Sequence, residues 1–221
     1  MDHDEVAELR TKAKELGDSL YPTIGKFAIS FEANCHALRM GIGIILENDG
    51  LSNSNLTEIM IGDLTLFPLQ SIYRSMISEV MLLNETELKI IDNIFKRLGQ
   101  LGEMRNRILH AAWFIDYKCA EDIKCGLLTQ YKPGYSKKGA KQSPVKFPVS
   151  EIRAQIEESE KLNDIIHELN MCLYSGTKMQ KRFVFNEQNL VQCTGSITDY
   201  IEEIPGSKPG SCQTLRRIPL D

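Results

Sequence analysis

Apolar residues recur every three or four positions along several long segments of the chain, and this spacing predicts α-helices. The longest run lies at about 22–48, with Pro22 near its start and Asn48, Asp49 and Gly50 at its end. The apolar stripe of this segment consists of Ile24, Phe27, Phe31, Cys35, Leu38, Ile42 and Ile45. A helix with one buried face is therefore the unit from which the fold is built.

The same periodicity predicts four more helices, at about 4–16, 69–82, 85–111 and 149–174. The helix at 85–111 has a defined start, because Asn84 is a suitable N-cap and Glu87 follows three residues later, as in a capping box. Residues 52–68 are rich in Ser, Asn, Gly and Pro, and they are predicted to form a loop with a turn of helix.

The periodicity changes near residue 112. The segments WFIDYK and GLLTQYK, on either side of residues 120–125, predict a small β-hairpin. Residues 131–147 are predicted to form a loop, and the end of the chain has one predicted strand near Phe183–Phe185. The predicted fold is all-α: an antiparallel bundle of four to five helices with a small β-hairpin insertion and a loosely ordered C-terminal tail.

Length and composition limit the class of protein. The chain has 221 residues, which fits one helical domain at 1–175, with the hairpin and a basic loop at about 113–147, and a tail or small appendage at 176–221. The net charge of −4 means that an anionic partner would need a local basic patch. The sequence has no apolar run of about 18 residues, no CxxC pair and no zinc-ligand spacing. We therefore expect a cytoplasmic protein with no membrane association, no metal and no cofactor.

One charged residue lies on an apolar stripe. In the helix at 85–111 the stripe runs through Ile91, Ile94, Leu98, Leu101, Arg105 and Ile108. A charge on the core-facing side of a helix is costly unless it is paired or lies at the rim of a cleft. His110 lies about 140° around an ideal helix from Arg105, so the two side chains would not stack within a straight helix. They could still converge where the helix ends.

This arginine and histidine have a structural and a functional interpretation. In the structural one, Arg105 forms an ion pair with a buried carboxylate, and His110 is favoured by the dipole at the C-terminus of the helix. In the functional one, both side chains belong to an active site. Asn106 favours the second interpretation, because three polar groups that can contact phosphate then lie at the end of one apolar helix.

The sequence Arg105-Asn106-x-x-x-His110 resembles the R-[polar]-x(3–5)-H motif of the HEPN superfamily. It occurs late in a long predicted helix that is followed by another long helix, and the resemblance covers about residues 20–175. Two alanines follow the histidine where many members have glycine, and the hairpin with its basic loop is a variable region. The resemblance implies a metal-independent endoribonuclease, often a toxin or abortive-infection effector, that acts as a homodimer with two motifs in one cleft.

The chemistry of the three side chains agrees with this implied activity. Cleavage of RNA without a metal needs a base for the 2′-hydroxyl, and histidine exchanges protons near neutral pH. Cleavage also needs a fixed positive charge at the phosphate, which the guanidinium of Arg105 supplies without titrating. Asn106 can orient either group or the phosphate. The expected products are a 2′,3′-cyclic phosphate and a 5′-hydroxyl.

Two further groups of residues are candidates for the same function. Glu32 and His36 lie one turn apart beside the stripe at 22–48 and could line the cleft, with Glu32 holding Arg105; they could equally form a solvated flank. A basic run in the predicted loop, interleaved with aromatic residues, could bind an RNA backbone and stack its bases, or could simply be solvated. This run consists of Lys132, Lys137, Lys138, Lys141 and Lys146.

Three functions remain open from the sequence. The first is an endoribonuclease in a defence or toxin–antitoxin setting, and the intact Arg–His pair favours it. The second is a non-catalytic HEPN-like module that binds nucleotide or RNA and is partnered with a nucleotidyltransferase. The third is a dimeric helical interaction protein in which Arg105 and His110 serve the structure. The expected partners are RNA, a second copy of the chain, and an antitoxin or nucleotidyltransferase-like protein.

Overall fold

The computed structural model describes residues 3–115, 120–136 and 139–194. The helices of this part of the chain are α1 His3–Asn48, α2 Ser54–Ile61, α3 Leu66–Val80, α4 Glu85–Leu109, α5 Ala120–Lys124 and α6 Val149–Ser175. The strands are β1 Ala112–Phe114, β2 Leu127–Ser136, β3 Gly139–Pro148, β4 Phe183–Phe185 and β5 Val191–Cys193. The predicted all-α fold with a small β-hairpin insertion is confirmed. Of the helices described, none is long and apolar enough to cross a membrane.

The prediction of two separate helices at 4–16 and 22–48 was wrong, because α1 is continuous and contains Pro22. Proline removes one backbone hydrogen bond and usually breaks a helix. Here the buried stripe continues across the proline, with Leu20 on one side and Phe27 on the other. The hydroxyl of Thr23 donates to the carbonyl of Ser19 at 2.7 Å. Packing on both sides therefore holds the helix together.

Contacts divide the chain into two compact units. The first unit is Met1–Ala33 with Leu98–Lys161, and the second is Asn34–Arg97 with Leu162–Asp221, of which residues 195–221 lie outside the description. In the first unit, buried side chains come from α1, α4, the sheet and α6. They include Phe27, Phe31, Leu101, Ile108, Leu128, Phe147, Ile152 and Ile156.

The sheet of the first unit has the order β1-β2-β3, with both pairs antiparallel. The prediction that 131–147 is a loop was wrong, since this segment continues β2 and forms β3, paired from Leu127 opposite Pro148 to Ser136 opposite Gly139. Its lysines, prolines and glycines are poor strand formers, but pairing with the neighbouring strand overrides such preferences. The indole of Trp113 in β1 contacts the buried ring of Phe147 in β3, with centroids 5.4 Å apart.

In the second unit, α3 and α4 run antiparallel. The amide of Gln70 donates to the carbonyl of Phe95 at 2.7 Å, and one turn further along α3 the side chain of Arg74 pairs with Asp92. A buried hydrogen-bond network joins α3, α6 and α1. The hydroxyl of Tyr73 donates to Asn170 Oδ1, and Asn170 Nδ2 donates to the carbonyl of Ala37 at 2.9 Å. These polar groups are satisfied inside the core, as buried groups must be.

The predicted strand near Phe183–Phe185 is present as β4, which pairs antiparallel with β5. Arg97 on α4 fixes this small sheet by donating to the carbonyl of Val191 at 2.8 Å. The predicted loop at 52–68 contains the two-turn helix α2, whose N-cap is Asn53; its side chain accepts from the backbone N–H of Asn55. The part of the tail from 195 onward lies outside the described residues.

Two cysteines inside the helices, Cys35 and Cys172, are buried thiols. Burial, together with the smaller effect of the nearby Glu168 carboxylate, raises the pKa of the Cys172 thiol to about 12. Only the thiolate attacks electrophiles, so such a thiol is unreactive. In the native protein at pH 8 we expect iodoacetamide to modify the exposed Cys125 while Cys35 and Cys172 stay unmodified. Peptide mass spectrometry measures this, and equal labelling of Cys125 and Cys172 would contradict the burial.

Candidate active site

The site is built around the C-terminal end of α4, where the helix stops at Leu109. The last carbonyl groups of a helix need partners outside it. Here the indole N–H of Trp113 donates to the carbonyl of Ile108 at 2.9 Å, and Gln130 Nε2 donates to the carbonyl of Arg107 at 2.8 Å. Two side chains of the sheet therefore cap the helix and determine where His110 leaves it.

Arg105 and His110 come together at this helix end. Nη1 of Arg105 lies 3.0 Å from Nε2 of His110 and 3.2 Å from Oδ1 of Asn106. The backbone N–H of His110 still bonds to the carbonyl of Asn106 at 3.3 Å, but the residue belongs to the turn after α4. The side chains therefore converge at the end of the helix, although an ideal straight helix would keep them apart.

The contact between Arg105 and His110 limits the role of the imidazole nitrogen. Arginine has five N–H donors and no acceptor, so Nε2 of His110 accepts the hydrogen bond. A hydrogen bond at this contact therefore requires an imidazole with its single proton on Nδ1. A neutral imidazole is the form that can take a proton from a substrate.

The charge of Arg105 has no counter-ion in the part of the chain that the structure describes. No carboxylate among the described residues forms an ion pair with Arg105. Its guanidinium instead lies over the buried ring of Phe31, with Cζ 5.7 Å from the ring centroid. Its Nε is buried and has no hydrogen-bond partner within the described part of the chain. Asn106 and His110 are exposed, so the open side of this group faces solvent.

A second arginine, Arg107, has a structural role that the sequence analysis missed. It faces away from Arg105 and donates from Nε to Oε1 of Gln130 at 3.2 Å. Its guanidinium lies 4.6 Å from the centroid of the Phe147 ring. Arg107 therefore attaches the end of α4 to β2 and β3. Residues two positions apart lie on nearly opposite sides of a helix, so the sequence could have indicated that Arg107 does not face the same side as Arg105.

The other described residues that were predicted for the site form no hydrogen bond or ion pair with Arg105, Asn106 or His110. Glu32 is exposed, and it makes no ion pair with Arg105, whose contact on α1 is the neighbouring Phe31. His36 is exposed and belongs to the second unit. No group of three or more His, Cys, Asp or Glu side chains that could hold a metal occurs among the described residues.

The predicted basic run lies mostly outside the description. Lys137 and Lys138 are outside it entirely, and for Lys132 in β2 and Lys141 in β3 only the backbone is described. Lys146 is described, and its ammonium pairs with Asp122 and lies 3.2 Å from the hydroxyl of Thr129. The charge of Lys146 is therefore paired with a carboxylate of the first unit.

Comparison of the chain with protein-family models, with curated proteins and with solved structures finds no match. The likeness to the HEPN superfamily consequently rests on the motif and on the order of the helices.

Proposed function

We propose that this protein is a metal-independent endoribonuclease of the HEPN type that cleaves RNA through attack by a 2′-hydroxyl. One observation carries the proposal: at the solvent-facing end of α4, the Arg105 guanidinium lies 3.0 Å from the His110 imidazole and has no carboxylate partner among the described residues. A guanidinium that no described carboxylate neutralises, next to an imidazole, is a combination that can bind a phosphodiester and remove a nearby proton.

The proposed reaction begins when a phosphate of RNA binds the Nη donors of Arg105. Because Nη1 then donates to a phosphate oxygen, Nε2 of His110 is released and can accept the proton of the 2′-hydroxyl. The 2′-oxygen attacks phosphorus, the bond from phosphorus to the 5′-oxygen breaks, and the leaving oxygen takes a proton from solvent or from a second His110. Asn106 holds Arg105 in position through its Oδ1. The products are a 2′,3′-cyclic phosphate and a 5′-hydroxyl.

The termini of the products test this mechanism. We expect fragments of a synthetic single-stranded RNA to carry 2′,3′-cyclic phosphate and 5′-hydroxyl ends, as determined by mass spectrometry. The same RNA with 2′-O-methyl groups at every position should stay intact, because the methylated oxygen has no proton to lose. Fragments with 5′-phosphate and 3′-hydroxyl ends, or cleavage of the methylated RNA, would show that water rather than the 2′-hydroxyl is the nucleophile.

We propose that the active form is a homodimer. Each chain supplies one motif, and a two-fold axis near His110 would place two motifs in one cleft. The first unit has exposed apolar side chains on α1, including Tyr21 and Ile29, that a second copy could cover. A self-complementary apolar contact is typical of a stable dimer interface.

A charge on this face of α1 should separate the dimer. We expect Ile29→Asp to shift the protein from dimer to monomer at micromolar concentration, because a buried carboxylate without a partner is costly. Multi-angle light scattering measures the mass, and Val184→Asp, at an exposed valine of β4, is the matched control. A wild-type protein that is monomeric at this concentration and still cleaves RNA fully would contradict the dimer.

The biological setting follows from the proposed activity. The resemblance implies a toxin or abortive-infection effector, so we propose a defence or toxin–antitoxin role with an antitoxin or nucleotidyltransferase-like protein as partner. We expect the wild-type chain to arrest growth and coexpression of the adjacent gene to relieve that arrest. The His110→Ala chain, expressed alone, should not affect growth.

A further inference from the structure

The short helix α2 exposes an apolar face in the second unit. Leu56, Ile59 and Met60 are spaced i, i+3 and i+4, which places them on one side of the helix. They are 45%, 80% and 55% exposed, and Phe67 at the start of α3 is 50% exposed. We refer to these four side chains as the α2 face. Clustered apolar side chains in solvent commonly mark an interaction site.

The position of α2 is fixed by contacts from its other side. Ile61 is buried, and Arg39 on α1 donates from Nη2 to the carbonyl of Leu64 at 2.9 Å. The methyl group of Thr57 packs against Gly43 of α1. A Cβ atom added to Gly43 would lie 3.9 Å from this methyl carbon. A helix held in this way presents its apolar side to solvent as a preformed surface.

The segment that contains α2 is acidic. From Met40 to Tyr73 the sequence contains four acidic residues and no lysine, and Arg39 is the nearest preceding cation. The acidic residues are Glu47, Asp49, Glu58 and Asp63, and all four are exposed. None of them forms an ion pair with a described cation. The α2 face therefore belongs to a segment with a net negative charge, and the nearby cation Arg39 is half-buried and bonded to the carbonyls of Ile61 and Leu64.

We propose that the α2 face binds a basic amphipathic helix of a partner protein. Apolar side chains of such a helix would cover Ile59 and Met60, and its lysines or arginines would lie against the surrounding carboxylates. This is the helix-in-groove mode of recognition with complementary charge. The inference does not depend on the ribonuclease activity.

The acidic surroundings disfavour two other occupants. A two-fold contact between α2 faces would bring Glu58 and Asp63 of both copies together, and like charges across an interface cost affinity. An anionic membrane surface attracts basic segments and repels acidic ones. A basic protein helix satisfies both the apolar and the charged parts of the surface.

The test uses the full chain and a synthetic peptide of about 18 residues, long enough to be helical. Its leucines occur at i, i+3, i+4 and i+7, and its other positions are lysine. We expect fluorescence anisotropy to show micromolar binding that Ile59→Ser with Met60→Ser weakens at least tenfold. Leu82→Ser, at a fully exposed leucine between α3 and α4, is the matched control and should bind as the wild type does. The same peptide with glutamate at every lysine should not bind.

Each alternative has its own result. Absence of binding by the lysine peptide, equal binding by the glutamate peptide, or unchanged binding by the double variant would overturn the proposal. If light scattering shows that the double variant turns a dimer into a monomer, the α2 face is a contact between copies of this chain instead. If the wild type binds vesicles of phosphatidylcholine and phosphatidylserine and the double variant does not, the occupant is a lipid surface. Circular dichroism of every variant checks that the fold is intact.

Discussion

Replacing His110 with alanine is expected to lower the rate of RNA cleavage by about 10²–10⁴-fold, the usual effect of removing a general base. The melting temperature should stay close to that of the wild type. His110 is exposed, and among the described residues its imidazole is hydrogen-bonded to the guanidinium of Arg105 alone. Little folding energy therefore depends on this side chain.

Single-turnover cleavage of a labelled RNA measures the effect on chemistry, separate from product release. His167→Ala, at a histidine of α6 in the second unit, is the matched control and should cleave at the wild-type rate. Added imidazole should restore part of the activity of His110→Ala, because it replaces the missing base. Full activity of His110→Ala would remove this residue from the mechanism.

Substitution of Arg105 is expected to abolish activity without unfolding the protein. Arg105→Ala removes the phosphate contact, and Arg105→Lys should also cleave at least tenfold more slowly, because an ammonium cannot make bidentate contacts with phosphate oxygens. Cleavage rates of both variants, measured beside His110→Ala, test this role. Wild-type activity in Arg105→Lys would show that charge alone is sufficient at this position.

The stability of Arg105→Ala separates the functional interpretation from the structural one. Loss of the contact with Phe31 costs about 0.5–1 kcal/mol. Removal of a buried N–H without a protein partner is favourable by a similar or larger amount. We therefore expect the free energy of unfolding to fall by no more than about 1 kcal/mol. A melting temperature several degrees lower would indicate that Arg105 mainly serves the fold.

The long helices were predictable because their information is local. The start of α4 is the clearest case: Oδ1 of Asn84 accepts from the backbone N–H of Glu87 at 3.1 Å, and Oε2 of Glu87 accepts from that of Asn84 at 3.2 Å. This is the capping box that the two residue types predict. The continuity of α1 through Pro22 was not predictable from local preference, since packing on both sides of the proline decides it.

The composition of the site was predictable, and its geometry was not. The polar residues at the end of an apolar helix identified Arg105, Asn106 and His110. Their convergence depends on where α4 ends, and that point is determined by Trp113 and by Gln130, a residue of β2 more than twenty positions from Arg107. Residue periodicity alone gives an angle of about 140° between Arg105 and His110, and only the end of the helix removes that separation.

The central claim is most directly tested by incubating the purified wild-type chain with labelled single-stranded RNA in excess EDTA, beside His110→Ala purified in the same way. We predict that the wild type cleaves the RNA in EDTA and leaves 2′,3′-cyclic phosphate ends, while His110→Ala leaves it intact over the same time. An RNA that stays intact with the wild type, or that both proteins cleave equally, would contradict the assignment of Arg105 and His110 as a ribonuclease active site.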